Sequence, residues 1–196
     1  MSASSPTPPG RCWRSRQART GTMQLIAFVA AAITLLLTGT MAGFFFAYSS
    51  SVMLGLDAAG PGHAIPAMQA INLTVRNPVF FVAFFGTPAA ALVSAVVFLA
   101  ARRPMAAALF LFAGLVYFLG ALLPTALVNV PMNEALATAT VPADPRAALK
   151  LWSDFSVPWT WWNTLRTAFS TLSLLVVGLA IFVSGRHQPA HKFRGR

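Results

Sequence analysis

Long apolar runs, rather than an alternation of apolar and polar positions, organise this chain. Four of them, residues 25–48, 79–100, 105–128 and 159–184, are long enough to cross a hydrocarbon core of roughly 30 Å, which takes about 20 helical residues. Lipid offers no partner to an unpaired backbone N–H or C=O, so each run is predicted to be a helix. The expectation is an all-α fold, a four-helix transmembrane bundle. Its two longer connections, 49–78 and 129–158, carry a different periodicity. "DPRAALKLWSDF" starts with Asp144 as an N-cap and Pro145 at the first helical position. Ala148, Leu151, Trp152 and Phe155 then recur at helical spacing. After Pro66, Met68, Ile71 and Val75 do the same. Short amphipathic helices are therefore expected in both connections, either resting at the interface or lying over the bundle as a lid.

Polar residues inside the fourth run need a reason. At 100° per residue, Trp159, Trp162, Asn163, Arg166, Ser170 and Ser173 fall within about 100° of one another. Trp161, Leu165, Ala168 and Leu172 lie opposite. A charge facing lipid costs a few kcal/mol or more, so the polar stripe is expected to face the bundle interior. Thr125, Asn129 and Asn133 share a face if the third helix is unbroken, and part company if Pro131 ends it. Asn72, Arg76 and Asn77 precede the second run. Together these residues predict one polar, aromatic-walled pocket at the ends of runs two, three and four. The plainer alternatives are Trp161 as an interface anchor, Arg166 reaching to headgroups, and asparagines as interhelical glue.

Composition supports the membrane reading. Of 196 residues only 9% are charged, against roughly 25% in ordinary soluble domains, and the mean hydropathy is +0.67. The net charge of +10 suggests nucleic acid until its placement is read. Arg11, Arg14, Arg16, Arg19, Arg102, Arg103, Arg186, Lys192, Arg194 and Arg196 all fall on one side of the bundle. Asp57, Glu134, Asp144 and Asp154 fall on the other. Excess Lys and Arg mark cytoplasmic loops, so both termini are expected in the cytoplasm of a multi-pass plasma-membrane protein. The basic ends then serve topology, and nucleic acid is not an expected partner; the lipid bilayer is. A disordered basic leader (1–22), a four-span membrane domain (23–184) and a basic cytoplasmic tail (185–196) divide the chain. Met23 stands just before the first run, so it is an alternative start. One cysteine, Cys12, closes no intrachain bridge. His63 stands alone, and His187 and His191 lie in the basic tail; no metal site and no cofactor motif is expected from them. Gly39 and Gly43 form a small-xxx-small pair that lets another helix approach, in this chain or in a homodimer.

"GFFFAYSSSVMLGL", "AMQAIN" with "RNPVF", "NVPMNEAL" and "WTWWNTLRT" follow one another across the four runs. This succession, from about residue 25 to 182, resembles the anthrone-oxygenase-like family of small membrane proteins. The resemblance implies a four-helix membrane bundle and, for some fungal members, cofactor-free oxygenation of a polycyclic anthrone to an anthraquinone. The motif positions it carries onto this chain are Asn72, Asn77, Asn129, Asn133, Trp159, Asn163 and Arg166. On that footing Arg166, Asn163 and Asn129 become candidates to stabilise an enolate oxygen. Asn72, Arg76, Asn77, Asn133, Trp159 and Trp162 become candidates for ligand binding. No base for the reaction is visible within a run. The leading expectation is therefore a membrane protein whose pocket binds a lipid-like or aromatic small molecule or serves structure. The alternative is an anthrone-oxygenase-like enzyme acting on a polycyclic hydroxyaromatic with O₂.

Overall fold

The computed structural model describes residues 10–186, and among them there is no strand. α1 (Gly10–Ala47) continues through a π-helical stretch, Tyr48–Val52, into α2 (Met53–Ala59). Gly60 turns the chain at φ 77°, a left-handed conformation that glycine reaches without a Cβ penalty. α3 (Pro61–Thr74) then crosses the end of the bundle, and α4 (Pro78–Ala100) descends. A short turn leads to α5 (Pro104–Tyr117), which passes through π-helical stretches at Phe118–Leu122 and Thr125–Asn129 into α6 (Val130–Ala137). α7 (Pro145–Arg186) closes the fold. Four stretches, Gly21–Ala59, Pro78–Ala100, Pro104–Ala137 and Pro145–Arg186, are long and apolar enough to cross a membrane. The protein is thus a multi-pass membrane protein built as an all-α four-helix bundle. α1, α4, α5 and α7 form a closed ring in which each packs on two neighbours.

The connections differ in detail from their predicted form. The amphipathic stretch at 145–155 is no separate helix; it is the first turns of α7, which runs on past Pro158. Pro131 does not end the third helix either. It sits in the first turn of α6, directly after a π-helical stretch. A proline removes one backbone donor, and a π turn lets the chain take up the change in register without breaking. In a membrane helix the neighbouring groups re-satisfy what the proline frees. At the other end of the chain, α1 begins at Gly10, inside the stretch read from sequence as a leader. Ala, Arg and Gln there are good helix formers that extend a helix already nucleated by the apolar run. Residues 1–9 of the leader and residues 187–196 of the basic tail, with His187 and His191, lie outside the described residues.

Packing divides the bundle into three tiers, and the division positions the site. Near the Arg102–Arg103 turn the core is mostly alanine: Ala27, Ala31, Ala95, Ala106, Ala107, Ala113 and Ala180, around Phe98 and Phe110. Small side chains let the helices close up, which is how membrane helices gain contact without a hydrophobic drive between them. Buried hydroxyls stitch this region: Thr34 and Ser94 share a hydrogen bond of 2.9 Å, and Ser173 donates to the Ala113 carbonyl at 2.9 Å. Towards the other end the core turns bulky, with Met41, Phe45, Phe84 and Tyr117. A third cluster of Met53, Ile65, Met68, Leu136, Trp152, Phe155 and Trp159 roofs the bundle beneath α2, α3 and α6. The outward faces are apolar throughout, as Phe28, Leu36, Val82, Val93, Leu99 and Leu175 illustrate.

Candidate functional site

Between the aromatic tier and the roof lies a cavity of about 360 Å³. Small-molecule sites span roughly 300–1,000 Å³. α7 supplies its polar wall, because Trp159, Asn163 and Arg166 recur at helical spacing and are all buried. Arg166 is only 4% exposed. Its guanidinium lies between two rings, 4.8 Å from the centroid of Phe45 and 5.2 Å from that of Trp159. Nη1 donates to Thr125 Oγ1 at 3.0 Å, and Nη2 donates to Asn163 Oδ1 at 3.0 Å. Nε has no partner.

Asn163 is matched on both sides of its amide. Nδ2 donates to the Phe45 carbonyl and to Ser49 Oγ, each at 2.7 Å. Phe45 lies just before the π-helical stretch of the first span, where the backbone pairing changes register. Thr125 similarly opens a π-helical stretch and donates back to the Ala121 carbonyl at 2.8 Å. Both irregular segments thus border the Asn163–Arg166 pair, Ser49 at Asn163 and Thr125 at Arg166, in keeping with the frequency of π turns at functional sites.

The charge at this point is unbalanced. Among the described residues the ion pairs are Arg76–Glu134 at 3.8 Å and Lys150–Asp154 at 2.8 Å, both exposed. Asp57 accepts from Trp152 Nε1 at 2.7 Å. No carboxylate pairs with Arg166. Taking a cation out of water costs several kcal/mol. Two charge-assisted hydrogen bonds at about 1.5–3 kcal/mol each and two ring contacts at about 0.5–2 kcal/mol each offset it. The arrangement suits an oxyanion, which would complete the charge of a guanidinium that lines an otherwise apolar slot.

Aromatic walls give that slot its shape. Phe44 packs on Tyr48 at 4.9 Å and on Phe80 at 5.2 Å, and Phe80 stacks on Phe84 at 5.2 Å. These rings line the cavity together with Phe81 and Phe85. Phenylalanines at i, i+1, i+4 and i+5 of α4 put a double row of rings along one side of a helix. That spacing is the sequence signal for the wall, and it lies outside the polar stripe, as does Tyr48.

Of the residues singled out from sequence, Asn72, Arg76, Asn133, Trp159, Asn163 and Arg166 converge on the cavity. Trp159 Nε1 donates to Asn133 Oδ1 at 2.9 Å, so these two form part of the roof edge. Asn72 is buried with Nδ2 unpartnered. The other three lie apart from the cavity lining. Asn77 is the N-cap of α4: Oδ1 accepts from Phe80 N at 3.1 Å and Nδ2 donates to the Thr74 carbonyl at 2.9 Å. The Asn-Pro pair at Asn77 and Pro78 carries that capping signal. Trp162 stands edge-on to Trp161 with centroids 4.9 Å apart. Asn129 is 1% exposed, and neither amide atom has a partner. His63 Nδ1 lies 3.3 Å from the Ala59 carbonyl of the preceding turn. No cluster of metal-ligating side chains occurs among the described residues.

The family model described as "Anthrone oxygenase" matches residues 80–176, which hold Phe80, Thr125, Asn133, Trp159, Asn163 and Arg166. Neither a curated protein nor a solved structure matches the chain.

Proposed function

Because the family model described as "Anthrone oxygenase" matches residues 80–176, we propose that the cavity binds a flat, oxygen-bearing aromatic ketone as the enolate and exposes it to dioxygen. The observation that carries this reading is Arg166, a buried cation with no acidic partner, open to an apolar slot. An anthrone has a methylene activated by its ketone. Loss of a proton there gives an enolate whose negative charge rests largely on oxygen. A guanidinium pre-set at that oxygen favours the ionised form, and low surrounding polarity strengthens the attraction. Phe44, Phe80 and Phe84 flank the ring system, and Trp159 covers the cation.

The chemistry then balances without a further reactant. The enolate gives one electron to O₂, and the radical pair combines to form a carbon–oxygen bond. The resulting peroxide takes up a proton, the second methylene proton leaves as the oxygen–oxygen bond breaks, and ketone plus water remain. Overall, anthrone and O₂ become anthraquinone and water. The first proton passes to solvent at the mouth beside Arg76. No carboxylate or imidazole lines the cavity among the described residues. That last observation favours a second reading, in which the same ligand class is bound as an anion and not transformed.

The test is an anaerobic titration of the purified protein with an anthrone, followed by O₂. Enolate absorbance should appear on binding, and O₂ uptake should match anthraquinone formed mole for mole. Both should fall at least about tenfold in Arg166→Gln, the loss of roughly one hydrogen bond to a charged group. Enolate without oxygen uptake would select the second reading. Turnover equal in Arg166→Gln and the unaltered protein would overturn the site.

A further inference from the structure

The cavity meets the surface in two unlike places. Its end is roofed by groups that are hydrogen-bonded across elements. Gln69 Nε2 on α3 donates to the Leu136 carbonyl at 2.8 Å and the Ala139 carbonyl at 2.9 Å. Trp152 on α7 donates to Asp57 of α2, and Trp159 to Asn133 of α6. Arg76 and Glu134 add a 3.8 Å ion pair at the edge. Opening this roof would break several of these bonds together.

The side is different. Phe81 and Phe85 of α4 line the cavity, yet they are 42% and 53% exposed on the outer surface. Ala126, on the third span, also lines the cavity and is also exposed. The wall here is one side chain thick. Its neighbours Val82 and Leu127 are 65% and 66% exposed, so this flank belongs to the apolar belt of the bundle. The ring contacts of Phe81 and Phe85 run along α4 itself: Phe81 to Phe80 at 6.2 Å and to Phe85 at 5.9 Å, and Phe85 to Phe84 at 5.1 Å. Exposed side chains change rotamer in picoseconds to nanoseconds, and Ala126 opposite offers almost no bulk to block such a swing.

We propose that the ligand enters sideways from the bilayer, between α4 and the third span, through a gate made by Phe81, Phe85 and Ala126. This inference rests on the proposed binding role of the cavity and adds the form in which the ligand arrives. A molecule dissolved in acyl chains is neutral, so the keto form is what crosses the gate. Ionisation follows inside, where Arg166 is the first unpaired cation the ligand meets. The substrate class is thereby narrowed to flat, membrane-partitioning ketones carrying no fixed charge, and the oxidised product, also neutral, leaves by the same flank.

A gate changes arrival and departure in the same direction, whereas a lost binding contact speeds departure only. Stopped-flow quenching of tryptophan emission by an anthrone, under nitrogen and with the protein in phospholipid vesicles, reads both rates. Ala126→Trp should slow both association and dissociation by at least about tenfold. Phe85→Ala should speed both, which keeps the proposal testable if the tryptophan variant does not assemble. Gln69→Ala, which loosens the roof, should alter neither rate. Unchanged rates in Ala126→Trp and Phe85→Ala, or faster entry in Gln69→Ala, would overturn the lateral route while leaving the binding site standing. Failure of the unaltered protein to bind the anthrone at all would overturn the binding role, and the route with it.

Discussion

Arg166 and Asn163 are neighbours in one network, yet their replacements should behave oppositely. Asn163 serves three partners: the Phe45 carbonyl, Ser49 and Arg166. Asn163→Leu strands all of them in a buried site and should cost about 2–4 kcal/mol, read as a lower unfolding midpoint in detergent. Arg166→Met strands Asn163 Oδ1 and Thr125 but also removes a desolvated charge without a counter-ion. Replacing a buried ion by a well-packed apolar residue is often neutral. Its midpoint should therefore stay within about 1–2 kcal/mol of the unaltered protein without ligand. The stabilisation given by ligand at 100 times Kd, about 2.7 kcal/mol, should disappear. A drop of the Asn163→Leu size in Arg166→Met would make the arginine a structural strut. Much of this network was legible in the sequence, because a charge within an apolar run has to turn inward and the 3.6 period then names its companions. The part of the aromatic wall on α4 was not. Phenylalanine suits lipid and cavity equally, so Phe81 and Phe85 could not be sorted without knowing where the third span lies. Asn77 was misplaced for a local reason: a capping asparagine and a ligand-binding one look alike until its backbone partners are seen.

At the level of elements, the four spans could be read directly, since continuous apolarity over that length admits one conformation. Their irregularities could not. Whether Pro131 or Pro158 ends a helix depends on what the neighbouring helix offers, and α7 passes Pro158 without interruption. The same dependence shows at Gly120, within the Phe118–Leu122 π-helical stretch. A Cβ placed there would fall inside the contact distance of the Phe169 ring on α7. Gly120 therefore sets how closely the third span approaches α7, five residues before Thr125 of the Thr125–Arg166 bond. Gly120→Ala should destabilise by about 1–3 kcal/mol through overpacking. It should also weaken ligand binding, because Thr125 moves away with the helix. Phe169→Leu added to it should recover part of both losses. A double-mutant cycle in detergent measures this coupling, and simple additivity would mean that the two side chains do not meet.

For the molecule as a whole, the tiers and the charges point the same way along the bundle axis. The alanine-packed tier lies at the end bearing Arg102, Arg103 and Arg186; the roofed cavity lies at the end bearing all four acidic residues. With four spans, α1 and α7 have their outer ends on one side together with the Arg102–Arg103 turn. Asymmetry of Lys and Arg sets orientation during insertion, so this side should be cytoplasmic and the cavity should sit in the outer leaflet. The orientation matters for function: an outer-leaflet site receives ligand that has already partitioned from outside, or been exported, and releases product there. Single cysteines report it once Cys12 is changed to Ser. His63→Cys, in the exposed first turn of α3, should react in intact cells with a maleimide that does not cross membranes. Arg102→Cys should react only after the cells are opened. Arg102 already holds φ 59° as a non-glycine residue, so its replacement by cysteine adds little backbone strain. Labelling in the reverse order would place the cavity in the inner leaflet and make the cytoplasm the source of its ligand, with the chemistry at Arg166 unchanged.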